Sequence, residues 1–85
     1  MTGKEKNLLL TMFYRSMKNA LDENNDHNKR YEFYLMACGY SHAIFSCLPI
    51  GDGARENLLE FWESKQADYL KDFALNCFEK IGPEN

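Results

Sequence analysis

From Phe33 to Gly51 the chain reads FYLMACGYSHAIFSCLPIG, nineteen residues between Glu32 and Asp52 without a formal charge. The stretch is apolar almost all the way round at helical spacing and has turn-forming sequence at both ends, the pattern of a buried middle helix. Charged amphipathic segments stand on either side of it. In the first, from about Thr2 to Glu23, the residues Leu10, Phe13, Tyr14, Met17, Ala20 and Leu21 share one face at spacings of three and four. Thr2 is placed to cap this helix. Leu8 and Met12 point away from the face, either as half-exposed residues of a frayed first turn or as a contact surface.

The run Asp22 to Lys29, DENNDHNK, has no apolar residue and is dense in Asn and Asp, which bond to their own backbone and favour turns. The middle helix follows, from about Lys29 to Leu48, with Phe33, Tyr34, Met36, Tyr40, Ser41, Ile44, Cys47 and Leu48 on the half centred on Ala37. The far half holds Leu35, Gly39, Ala43 and Ser46, with Glu32 as its charge. Pro49 ends the helix, Gly51 and Gly53 turn the chain, and Asp52 is the natural N-cap of the next segment. That segment runs from about Gly53 to Ile81, about 40 Å if continuous. Its stripe is Leu58, Leu59, Trp62, Gln66, Tyr69, Leu70, Phe73, Cys77 and Ile81, and Phe61, Leu75 and Phe78 fall outside it; Gly82 and Pro83 stop it. The pattern predicts a single all-α domain, an antiparallel three-helix bundle with helices near 2–23, 29–48 and 53–81. Segments one and three cover one half of the middle helix. Leu35, Gly39 and Ala43 are left uncovered by their own chain, so a homodimer through the middle helix is expected.

Composition fits this reading. Eighty-five residues make one small domain, and 45% hydrophobic with 14% aromatic content is too rich for a disordered chain. The charge of -3 is split: residues 1–30 carry six basic and four acidic groups, the remainder four and nine, hence +2 and -5. Direct nucleic-acid binding is not expected, since it depends on Lys and Arg displacing counterions; a helix-turn-helix here would put an acidic helix in the major groove. The acidic half instead suits a protein partner with a basic surface. The charge-free stretch includes two Ser, a His, a Gly and a Pro, so no membrane span is expected. The opening MTGKEKNLLLTMFYR has no signal-peptide pattern, and Cys38, Cys47 and Cys77 are an odd number without disulfide-framework spacing; a cytoplasmic setting with reduced thiols is expected.

No motif here carries recognised catalytic or cofactor chemistry, and no enzyme activity is expected. Cys38 and His42, at i and i+4, have the spacing of two metal ligands or of a thiol beside a base. Both readings require further groups, and core packing is the simpler account. Asp22, Glu23, Asp26 and His27 lack the alternation, central Gly and closing Glu of a calcium loop. Gly51 to Arg55 resembles a phosphate nest in composition only, because Asp52 repels an anion. Glu56, Glu60 and Glu63 read as a solvated face or the edge of a partner site. The expected function is therefore a small interaction module, a regulator, adaptor or inhibitor acting through Leu35, Gly39, Ala43, Leu8 and Met12 with an acidic rim. One form is a phage or mobile-element inhibitor whose acidic face blocks a nucleic-acid-binding groove; another class is a bundle binding a metal or small ligand at Cys38 and His42.

Overall fold

Thr2 and Glu5 form a capping box: the Thr2 hydroxyl accepts the Glu5 amide at 3.1 Å and the Glu5 carboxylate accepts the Thr2 amide at 2.8 Å. The helix they start, α1, spans Gly3–Leu21 in the computed structural model, which describes residues 1–81. It ends two residues before the expected Glu23, and the Asp22 side chain accepts the Asn24 amide at 2.9 Å in the turn that follows. The second helix begins earlier than the pattern predicts. Asp26 accepts the Lys29 amide at 2.8 Å and so caps α2, His27–Cys47.

Past α2, the Asp52 amide donates to the Pro49 carbonyl at 3.1 Å and Gly51 has φ of 96°, the signature of a type II turn. Asp52 then caps α3, Gly53–Trp62, through one carboxylate oxygen, while the other accepts Lys6 Nζ of α1 at 2.9 Å. The Lys6 hydrogen bond, followed by those from the Ala54 and Arg55 amides, holds the Asp52 carboxyl below its ordinary range. A depressed carboxylate adds stability above the ordinary aspartate range, and that contribution is lost as pH falls through the depressed value. The melting temperature of Asp52→Asn is therefore expected below that of the wild type at neutral pH, with the gap closing in acid. A gap independent of pH counts against the ion pair.

The third segment is not one helix. It is broken after Trp62, so the described residues form four helices rather than three, with α4 at Lys65–Ile81. The break is built by Ser64, whose hydroxyl donates to the Phe61 carbonyl at 2.6 Å and accepts the Ala67 amide at 3.3 Å, capping α4. Lys71 of α4 donates to the Trp62 carbonyl at 3.2 Å and satisfies the open end of α3. The expected stop at Gly82 and Pro83 lies outside the described residues.

α1 packs along α2, while α3 and α4 pack on α2 and on each other. Phe13, Met17, Ala20, Ala37, Ile44, Leu58 and Leu70 form the buried core. Phe13 is its aromatic centre, with ring centroids 5.0 Å from Tyr14, 5.9 Å from Phe61 and 6.0 Å from Trp62. Trp62 Nε1 donates to the buried Ser41 hydroxyl at 2.7 Å, which ties the end of α3 to the middle of α2. In α4 the buried positions are Ala67, Leu70, Ala74 and Cys77, a stripe turned away from the expected Gln66 and Tyr69. Across the break the helical phase changes, so that Ala67 and Ala74 face inward and Tyr69 does not.

Arg30 is also buried, at 4% exposure. Its Nε donates to the Ala20 carbonyl at 2.8 Å, its Nη2 to the Tyr69 hydroxyl at 3.2 Å, and its guanidinium stacks over Phe73 at 4.1 Å. No ion pair among the described residues includes it. The cation instead meets the negative C-terminal end of α1, whose last carbonyls lack helical partners. One side chain thus joins α1, α2 and α4.

Candidate interaction surface

With α1 and the later helices gathered on the side of Arg30, Ala37, Ser41 and Ile44, α2 turns its other side outward. Leu35 is 49% exposed and Met36 42%. Gly39, His42 and Ser46 are exposed as well, and Ala43 is half-buried, so its expected lack of cover is only partial. Between Glu32 and Asp52 this face carries no formal charge. Leu35 borders an open hollow with Asn28, Tyr31 and Glu32.

The other two expected contact residues stand apart. Leu8, 62% exposed, borders a separate hollow with Met1, Glu5, Leu9 and Cys47, while Met12 is half-buried. Leu8 and Leu35 thus lie toward opposite ends of α2 and do not form one patch. Glu56 and Glu60 are exposed on α3 and Glu63 at its C-cap, but Glu56 accepts the Gly51 amide at 3.3 Å and lies 3.9 Å from Arg55, so it serves its own turn. Among the described residues Glu60 and Glu63 have no ion pair.

Cys38 and His42 border a shallow groove with Ser41, Phe45, Trp62 and Lys71. Burial pushes the Cys38 thiol up, and a hydrogen bond with Tyr34 only partly offsets this. Burial, together with Cys38, raises the Tyr34 hydroxyl to about 12. A raised thiol is protonated at neutral pH, which disfavours Cys38 as a nucleophile. Among the described residues no cluster of three His, Cys, Asp or Glu side chains is placed to hold a metal ion. In the first loop Asp22 uses an oxygen on the Asn24 turn amide and Asp26 one on the Lys29 capping amide, and the Ala54 and Arg55 amides of the would-be nest are taken by Asp52.

Arg30, Ser64 and Lys71 are not singled out by the pattern. For Arg30 a signal exists: it stands seven residues before Ala37, which stands seven before Ile44, so it shares their inward side. Ser64 acts through two backbone contacts and Lys71 through one, and these leave no periodic trace.

Compared with known proteins, the chain matches no family model and has no significant match to a curated protein or a solved structure. Among the described residues no helix is long and apolar enough to cross a membrane.

Proposed function

We propose that this chain is a small helical interaction module, a regulator, adaptor or inhibitor that binds protein through the outer face of α2. The observation that carries the reading is the exposed side of the central helix, which bears no formal charge from Phe33 to Cys47. Leu35 and Met36 remain about half in water while the same helix buries Ala37 and Ile44. Large apolar residues on a charge-free helical face fit an amphipathic groove or another helix. The unpaired carboxylates of Glu60 and Glu63 add electrostatic steering toward a basic partner, including one that uses its basic groove for nucleic acid.

The test is capture of partners from cells that express the chain, with wild type and Leu35→Glu compared at two salt levels. A partner retained by the wild type, lost by the folded variant and weakened by salt is the expected result. Identical captured sets for both proteins overturn the assignment of this face.

A further inference from the structure

We infer that the junction between α3 and α4 is an exchange hinge: the two helices straighten into one and α4 docks on α2 of a second copy, each copy giving its α4 to the other. The outer face of α2 plays no part in this, because α4 packs on the inner side.

Side chains hold the junction bent. It consists of Glu63 and Ser64, without the Gly or Pro that stops a helix by backbone chemistry. The Ser64 amide bonds the Phe61 carbonyl at 3.0 Å, three residues back instead of four, and the Lys65 and Gln66 amides open α4 without helical acceptors. Two substitutes fill the gap. The Ser64 hydroxyl serves the Phe61 carbonyl and the Ala67 amide, and Lys71 Nζ serves the Trp62 carbonyl. In a straight helix the Lys65, Gln66 and Ala67 amides bond the Phe61, Trp62 and Glu63 carbonyls directly. A straight backbone thus needs neither side chain, and the bent one needs both.

Helical phase decides where a straightened α4 goes. At about 100° per residue, Phe61 and Trp62 lie within about 60° of Leu58, whereas Ala67, Leu70, Ala74 and Cys77 centre about 140° round from it. With α3 seated on its own core, a continuous helix turns the buried stripe of α4 away from that core and carries its 17 residues about 25 Å onward. Its own α2 is then out of reach.

The seat on α2 is specific. Arg30 donates to the Tyr69 hydroxyl at 3.2 Å and stacks 4.1 Å from the Phe73 ring centre, His27 meets Phe73 edge-on at 5.3 Å, and Leu70 enters the core. A second copy carries the α4 that fits it. Each contact between α4 and α2 is re-made across the two copies, so the interface is as large as the internal packing it replaces, and two-fold exchange fills both seats. An α4 that detaches alone bares Leu70 and Arg30, so exchange is set during folding, when concentration decides between the two seats.

The test is the mass by light scattering after unfolding in urea and refolding at about 10 µM and about 1 mM. Ser64→Ala removes the cap and favours helix by about tenfold per junction, and so strengthens a dimer with two junctions about a hundredfold. Refolded at the higher concentration, it is expected at a larger dimer fraction than the wild type, approaching twice 10.0 kDa. Lys71→Met, at an exposed position, is expected to move the mass the same way by less. Lys65→Pro is the block: Pro suits the first position of α4 but clashes inside a continuous helix. Added to Ser64→Ala, it is expected to return the mass to 10.0 kDa. Folded Ser64→Ala and Lys71→Met chains that both stay monomeric at the higher concentration overturn the inference, and so does a dimer that persists with Lys65→Pro.

Discussion

Phe13→Ala is expected to lower the unfolding free energy by about 3 to 5 kcal/mol, the range for removing a fully buried aromatic ring. Phe13 has 0% exposure and packs edge-on or tilted against three other aromatic rings, so its loss leaves a cavity bounded by rings fixed from different helices. Trp62 cannot readily turn into the space, because its indole N–H is held by Ser41 at 2.7 Å. Small domains are stable by about 5 to 15 kcal/mol, so this one change removes a large share of the total. At roughly 4 to 8 °C per kcal/mol for a chain of this size, the melting temperature should fall on the order of 20 °C, read by circular dichroism. Tyr14→Ala is the comparison: that side chain is 44% exposed, and its removal should cost far less. Equal losses for the two variants would show that the cluster is not centred on Phe13.

Arg30→Ala should be the second large loss, about 2 to 4 kcal/mol by thermal or urea unfolding. Two opposing effects decide the size. Burying a guanidinium without a carboxylate carries a desolvation cost, while the Ala20 carbonyl, the Tyr69 hydroxyl, the α1 dipole and the Phe73 ring all favour the cation. Truncation removes the favourable contacts, opens a void and strands a carbonyl at the end of α1. Arg30→Met keeps much of the volume and removes the desolvation cost, so its loss should be smaller. Arg30→Lys keeps the charge but not the planar fork that reaches Ala20 and Tyr69 together, and should not restore wild-type stability. A Met variant more stable than the wild type would show that the buried cation is a net cost.

Much of the architecture is legible in the sequence, and the parts that are not have identifiable physical causes. The inward face of α1 is readable because Phe13, Met17 and Ala20 are apolar at regular spacing and Thr2 and Glu5 mark the start. The exposed outer side of α2 is readable at Leu35 and Gly39 because two neighbours cannot surround a helix that is apolar all round. The division of the last segment is hidden. Nothing in the periodicity flags Ser64 as a cap, and an unbroken stripe drawn through it gives Ala67 and Ala74 too little weight and Tyr69, 45% exposed, too much. Phe61, which a continuous helix leaves off the stripe, packs against Phe13. Arg30 escapes the pattern because a charged residue beside a polar loop reads as solvated unless the end of another helix waits for it. At the candidate surface, the outward positions are legible one by one, but the separation of Leu8 from Leu35 depends on how α1 and α2 lie together.

The order of the helices matters before the chain is whole. The charge-free run from Phe33 to Gly51 has no charged residue within it to discourage sticking to other nascent chains. Yet α1, which bears Phe13, Met17 and Ala20, precedes α2 in the chain, so the first part of the cover for its inner side has already been synthesised when that run leaves the ribosome. The stretch least suited to being alone in water is made second, beside a neighbour in sequence that is also its neighbour in space.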